Sequence, residues 1–347
     1  MELKLALIGF GVVGQGLAKL LVDKKTQLKK KYGVTFKITA ISDFAKGAIL
    51  DPKGIDLKKA LKAVDSRKSL ETLKAKTKGL DAIKTIKQAE ADVVVEATFT
   101  DLKTGQPAIK HVEQAFKSKA HVVTCNKGPV ALAHKRLSNL AKKHGVSWRY
   151  EGTVMSGTPV ISLAKEAMAG ADITAVRGIL NGTTNYMLCE MEKGADYKKV
   201  LKKAQKLGYA EADPTGDVEG FDAMGKVLIL ANTLMGVALK EKDVKRKGIT
   251  KITSAMIKKA QKSGKRYKLI GEVKKTKGGK IEASVKPTLV PATSFLGSIT
   301  GPRNAISFDT DTLGEVSITG PGAGKIETGF SLLSDLLELA WGLSQKK

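Results

Sequence analysis

Within the twenty residues from Leu207 to Lys226, LGYAEADPTGDVEGFDAMGK, the chain gathers Glu211, Asp213, Asp217, Glu219, Asp222 and Lys226. Carboxylates in such a run can hold an amine. Asp222 and Lys226 stand four residues apart, the spacing that puts two side chains on one helix face. Together they suit a small zwitterion: acids for its ammonium group, and a lysine to exchange a proton with, or stabilise charge on, a reacting oxygen. A solvated acidic loop beside an ordinary surface ion pair, worth about 0.3–0.5 kcal/mol, fits the spacing equally well. A calcium loop does not. Counted from Asp213, positions six and twelve are Val218 and Met224, where an EF-hand needs Gly and Glu.

Gly208, Pro214, Gly216 and Gly220 predict a loop as far as about residue 220. From there the apolar spacing of Phe221, Met224, Val227 and Leu228 predicts a helix. Upstream, ITAVRGIL (173–180) reads as a strand and NGTTNYMLCEMEKG as a turn into a helix. Asn181, Gly182 and Thr183 then lie at a helix N-terminus, where N–H groups either hold a carboxylate or are simply capped.

The chain opens on a second chemical pattern. LKLALI (3–8) is a short apolar run of strand type, followed by GFGVVGQG and an amphipathic helix. Gly9, Gly11 and Gly14 make G-x-G-x-x-G. Between a strand and a helix, this pattern lets the backbone approach a pyrophosphate at a helix N-terminus. FKITAISD (36–43) predicts the next strand, ending on Asp43. An acid there accepts from adenosine ribose hydroxyls and disfavours a 2′-phosphate. Phe44 follows where an arginine would favour NADP, while the cation of Lys46 nearby keeps NADP open, so the residues lean to NAD without settling NAD against NADP. Residues 56–90 read as lysine-rich helices. ADVVVEATFT (91–100), AHVVTCNKGPV (120–130) and VSWRYEG (146–152) then read as further strands of the same sheet. Ligands of open parallel sheets sit beyond the carboxyl ends of strands, which places Thr98, Cys125, Asn126 and Lys127 beside a cofactor. Lys127 reads either as a proton donor or as a cation for cofactor phosphates. Cys125 reads as a thiol nucleophile or, with no histidine near it in sequence, as a small buried residue.

Lysine and arginine number 60 against 34 acids, for a formal charge of +26, yet only seven of the 60 are arginine and aromatics are 5%. Nucleic-acid readers favour arginine interleaved with aromatics, so the charge reads as solvated faces that draw in small anions. No apolar run approaches a membrane span, and the N-terminus is not a signal peptide. Two distant cysteines, Cys125 and Cys189, suit a reducing cytoplasm. Alternating segments after residue 264 predict an antiparallel or mixed sheet. GPGAGKIETGFSLLSDLLELAWGL closes the chain as a glycine loop and an apolar helix. The fold class expected is α/β: a Rossmann-type doubly wound parallel sheet (1–150), an α+β substrate and dimerisation domain (151–314), and a C-terminal loop and helix (315–347) returning to the nucleotide-binding domain.

In GFGVVGQG, VVTCNKGP, YEGTVMSGTP, GILNGTTNYML, LGYAEADPTGDVEGFDAMGK and GPGAGKIET, the chain resembles the homoserine dehydrogenases over nearly its whole length. The resemblance implies NAD(P)-dependent interconversion of L-aspartate 4-semialdehyde and L-homoserine, a step towards threonine and methionine, by a cytoplasmic homodimer. It implies Lys226 as the main acid/base, assisted by Lys127, with Asp217 positioning Lys226 or a water. Glu211, Asp222, Gly182, Thr183 and Tyr209 match substrate positions, and Phe10, Gly11, Val12, Val13, Thr98, Lys127 and Gly324 match cofactor positions. Some members hold Na+ on backbone carbonyls; the resemblance implies that here those would be Val154, Ser156 and Thr158, with Glu151 nearby. Cys125 stands where Ala or Ser is common. A semialdehyde dehydrogenase using Cys125 is the alternative. The chain stops soon after its last helix, so neither a threonine-binding ACT domain nor an aspartate kinase domain is expected, and no threonine inhibition through such a site.

Overall fold

Seven strands form in the first half of the chain, the central ones from its apolar runs. In the computed structural model, which describes residues 1–345, they are β1 (Glu2–Ile8), β2 (Thr35–Asp43), β3 (Gly47–Leu50), β4 (Thr77–Lys78), β5 (Val93–Glu96), β6 (His121–Thr124) and β7 (Trp148–Arg149). Their order is β4-β3-β2-β1-β5-β6-β7. β1 lies parallel to both β2 and β5, and β6 and β7 continue in the same sense. Strands buried on both faces need continuous apolar sequence, and β5 is buried throughout. The strand order reverses at β1, which is where a ligand crevice opens in such sheets.

β3 and β4 form an antiparallel edge that the sequence pattern does not announce. The chain doubles back after Asp43, which pairs with Gly47. A strand of four residues followed by one of two is too short to leave a periodic signal. Between β3 and β5, only Leu57–Asp65 and Ala82–Gln88 are α-helical, with a 3₁₀ turn at Leu70–Thr72.

Two compact units divide the chain: Met1–Gly157 with the segment from Gly324 onwards, and Thr158–Ala323. In the first unit, helix Val12–Asp23 packs along helix Lys325–Ser344. The contact is close because Gly16 has no side chain: a methyl group there would lie 2.0 Å from the Lys325 carbonyl oxygen. Leu5, Leu7, Phe10, Leu17, Ile41, Val95, Leu332 and Leu336 form one core in this unit. Each fully buried side chain of this kind contributes roughly 1.5–3 kcal/mol.

The second unit carries a mixed sheet of β8 (Ile173–Ile179), β9 (Val244–Arg246), β10 (Lys265–Lys275), β11 (Ile281–Pro291), β12 (Arg303–Thr310) and β13 (Gly314–Pro321). The order is β13-β12-β8-β10-β11-β9, antiparallel except for β9 beside β11. Helices Gly182–Glu192 and Phe221–Leu234 pack on its central strands. Residues 315–323 stay in this unit, because β13 pairs with β12 from Thr310↔Gly314 to Arg303↔Pro321. The return to the first unit therefore begins at Gly324. Among the described residues, no helix is long and apolar enough to cross a membrane.

Candidate active site

In the first unit, the turn after β1 is built for close backbone approach. Gly9 has φ +96°, and a methyl group on it would strike the Ala97 carbonyl oxygen at 2.4 Å. A methyl group on Gly14 would lie 2.4 Å from the Gly9 carbonyl oxygen, whereas one on Gly11 would meet nothing within 4 Å. The turn is thus packed beneath and open above, with helix Val12–Asp23 starting at its edge. That is the cradle a pyrophosphate needs. Val12 is largely exposed beside it, while Phe10 is buried; Val13 packs on the core.

Asp43, at the end of β2, holds this turn. One oxygen accepts from Phe10 N at 2.7 Å; the other accepts from Ala45 N at 3.0 Å and Lys46 N at 3.1 Å. Lys46 Nζ lies 3.4 Å from the same carboxylate. Phe44 beside it is fully exposed.

Glu96, wholly buried at the end of β5, ties together the loops that carry Thr98 and Lys127. Its carboxylate accepts from the Thr98 hydroxyl, from Thr98 N (3.3 Å) and from the Thr124 hydroxyl (3.2 Å), and it faces His111 Nδ1 at 3.4 Å. Asn126 spans the two loops, donating to Phe99 O (2.9 Å) and capping helix Lys127–Lys143 by accepting from Gly128 N (3.0 Å). Lys127 is therefore the first residue of that helix. Burial pushes the Cys125 thiol up to about 12, and the Glu96 charge adds to the shift. A thiol so raised stays protonated at neutral pH, which disfavours Cys125 as a nucleophile. Gly324 immediately precedes helix Lys325–Ser344.

Glu151 is buried, and its main-chain N–H donates to Asp335 at 3.0 Å. Val154 lies in the short helix Gly152–Met155; Ser156, at φ +53°, ends it with a hydroxyl contact to Thr328 (2.7 Å). Thr158 opens the second unit, donating to Pro321 O at 3.2 Å. Among the described residues, no three His, Cys, Asp or Glu side chains gather as a metal site.

In the second unit, the acidic run folds onto the turn after β8. Lys226 is 6% exposed, on helix Phe221–Leu234. Its ammonium donates to the Leu180 carbonyl at 2.5 Å and to Asp222 Oδ2 at 2.8 Å. Asn181 joins the two acids, donating to Asp217 Oδ1 at 2.6 Å and Asp222 Oδ2 at 3.1 Å. The same side chain caps helix Gly182–Glu192, accepting from Thr184 N at 2.9 Å. Burial raises the Asp217 carboxyl above its usual range; the hydrogen bond from Asn181 opposes this, and the Asp222 charge reinforces it. Thr183 donates to Tyr209 O at 2.6 Å, and the Tyr209 ring rests edge-on to Tyr186 at 5.0 Å.

The structure thus brings together Lys226, Asp222, Asp217, Thr183 and Tyr209. Glu211 stands apart from this network: it is exposed on the loop, where its main-chain carbonyl accepts from Gln205 at 3.1 Å. Leu180 and Asn304 were invisible as site residues in the sequence. One contributes only a backbone oxygen, and the other is a single polar residue within a strand. Glu96 is visible in the sequence only as an acid ending an apolar strand.

A parallel sheet with a nucleotide-binding turn at β1, joined in one chain to a buried lysine among carboxylates, defines a dinucleotide-dependent oxidoreductase. Two family models cover most of the chain: the homoserine dehydrogenase NAD-binding domain over residues 9–151 and the homoserine dehydrogenase domain over 159–337. The homoserine dehydrogenase of Methanocaldococcus jannaschii is 48% identical, covering 96% of this chain and 97% of its own. The NAD(+)-dependent homoserine dehydrogenase of Pseudomonas canavaninivorans is 43% identical, covering 100% and 98%. The crystal structure of a protein assigned to the homoserine dehydrogenases, from Archaeoglobus fulgidus, superposes with TM-score 0.87 at 40% identity, covering 97% of this chain and 99% of that one. The chain belongs to the homoserine dehydrogenase family, the NAD(P)-dependent oxidoreductases of that name.

Proposed function

We propose that the protein interconverts L-homoserine and L-aspartate 4-semialdehyde, with Lys226 exchanging the proton on the reacting oxygen. The observation that carries this is the lysine's hydrogen bonding. Two of its three N–H groups are committed, to Leu180 O and Asp222, so tetrahedral geometry leaves the third to a single external acceptor. When bound, the nicotinamide cofactor accepts or returns hydride at the substrate carbon. Reduction of the aldehyde builds negative charge on oxygen, which the ammonium stabilises and then protonates. In the oxidation direction the neutral amine takes the hydroxyl proton.

Asp222 and Glu211, the latter from the exposed loop, supply carboxylates for the substrate amine and hydroxyl. The main-chain N–H groups of Gly182 and Thr183, at the start of an eleven-residue helix, suit its carboxylate. Tyr209 flanks it, and Asp217 positions Lys226 or a water. Gly9 to Gly14, Thr98, Lys127 and Gly324 would hold the cofactor. NAD is favoured over NADP because Asp43 ends β2, with Lys46 only partly offsetting its charge. The main-chain carbonyls of Val154, Ser156 and Thr158, with Glu151 nearby, are oxygen donors of the kind a hard cation takes, and would hold Na+. We also infer a cytoplasmic homodimer working on a small molecule, in a step towards threonine and methionine.

The test is homoserine-dependent reduction of NAD and NADP in parallel, in wild type and Lys226→Ala. Reduction lost in the variant supports the assignment. Equal turnover in the variant would refute it. Size-exclusion chromatography with light scattering reads the oligomeric state.

A further inference from the structure

We propose that Asn304 and Gly322 are positioning residues for the active-site lysine, acting through the main-chain carbonyl of Leu180. The proposal builds on the role of Lys226 given above. The Leu180 oxygen accepts two hydrogen bonds, from Lys226 Nζ at 2.5 Å and from Asn304 Nδ2 at 3.0 Å. Only the NH₂ end of an amide can face a carbonyl, so this contact sets the orientation of Asn304. Its other end, Oδ1, is then a buried acceptor with no hydrogen-bond partner among the described residues, on a side chain that is 0% exposed.

Such an arrangement works against stability. A buried acceptor left unsatisfied is costly, whereas an apolar residue of the same size would carry no such cost. Leu180 would still keep the bond from Lys226. The amide therefore supplies something other than stability, and its one polar contact is with the oxygen that clamps the lysine. A carbonyl held by Lys226 alone could swing with that long side chain. Held from a second side by a strand residue, it fixes the direction of the ammonium and so the aim of its third N–H. The anchor is stiff: the Asn304 carbonyl accepts from Thr319 Oγ1 at 2.8 Å across the β12–β13 pair. The next residue after Leu180 is Asn181, which joins Asp217 and Asp222. Fixing the Leu180–Asn181 peptide thus aligns the acids along with the lysine.

Gly322 holds the amide in place. A methyl group on it would lie 2.3 Å from Asn304 Cγ and Oδ1 and 2.4 Å from Nδ2. Its backbone therefore lies flat against the amide, and any side chain there must displace the whole group rather than one atom.

The test compares Asn304→Leu and Gly322→Ala with wild type and Lys226→Ala, measuring kcat, both KM values and melting temperature. Asn304→Leu is expected to melt at or above the wild-type temperature. Its KM for homoserine and cofactor should stay within about twofold, while kcat falls about 10- to 100-fold, since the misaimed N–H matters only as charge develops on oxygen. Gly322→Ala should lower kcat in the same sense. A kcat within twofold of wild type in Asn304→Leu, where Lys226→Ala is inactive, overturns the positioning role and leaves the lysine assignment standing. Retained turnover in Lys226→Ala overturns both. If Asn304→Leu does not fold, Gly322→Ala decides: unchanged kcat overturns the proposal, and lowered kcat at unchanged KM supports it.

Discussion

Replacing Lys226 by alanine removes one group that serves as both charge stabiliser and proton donor. The scaffold around it stays bonded: Leu180 O keeps the hydrogen bond from Asn304 at 3.0 Å, and Asp222 keeps that from Asn181 at 3.1 Å. Losing one preorganised donor at a developing oxyanion costs about 10²–10³ in kcat. Losing a positioned general acid costs about 10²–10⁴. Both effects belong to one ammonium and do not multiply freely, so a combined loss of about 10³–10⁵ is expected. The folded state should lose only roughly 1–3 kcal/mol, because Asp222 is partly exposed and retains a partner. The assay is reduction of NAD by homoserine at saturating substrate and cofactor, followed by nicotinamide absorbance, with circular dichroism to confirm folding. Small primary amines should restore part of the lost rate by entering the vacated space. A folded Lys226→Ala protein with kcat within tenfold of wild type would show that the third N–H does not meet the reacting oxygen.

Asp335 is 2% exposed and its carboxyl is raised well above its usual range, first by burial and then by the charge of Glu151. A group raised on folding contributes stability at low pH and loses it as pH rises through its folded value. Asp335→Asn should therefore match wild type in melting temperature below about pH 4 and exceed it increasingly at higher pH; a pH series of melting curves reads this directly. Gly14→Ala places a methyl group 2.4 Å from the Gly9 carbonyl oxygen and should cost roughly 1–3 kcal/mol, seen in urea melts, together with weaker NAD binding in a fluorescence titration. Asp43→Ala removes the acceptor of Phe10 N. It should raise the KM for NAD about tenfold and shrink the NAD/NADP preference in kcat/KM, both from loss of one charge-assisted contact. Cys125→Ala should keep kcat within about threefold of wild type, since a thiol pushed up to about 12 is no nucleophile at neutral pH.

Much of the chemistry was legible along the chain because it rests on local rules. The glycine spacing after β1 specifies a turn whatever surrounds it. Asp222 and Lys226 share a helix face because 3.6 residues make a turn, and they do form an ion pair at 2.8 Å. Asn181 was legible as a helix cap for the same reason. Short elements were not legible: β3 and β4, at four and two residues, leave no period, and their pairing depends on the chain doubling back.

What tertiary structure alone decided is which of the charged residues act together. Spacing in the acidic run ranks Glu211 with Asp217 and Asp222; Asp222 bonds Lys226 directly and Asn181 ties Asp217 to it, while Glu211 reaches from the exposed loop. That distinction turns on burial, since a carboxylate withdrawn from water must find donors, and the donors come from residues far along the chain. Lys226 likewise reads as one lysine among many until β8 brings the Leu180 carbonyl to it and β12 brings Asn304 behind that carbonyl. A backbone oxygen has no signature in sequence, and a buried amide in a strand looks like any other polar residue. Their meaning arises only when the sheet sets Ala305 beside Ile179 and so carries Asn304 to the turn after β8.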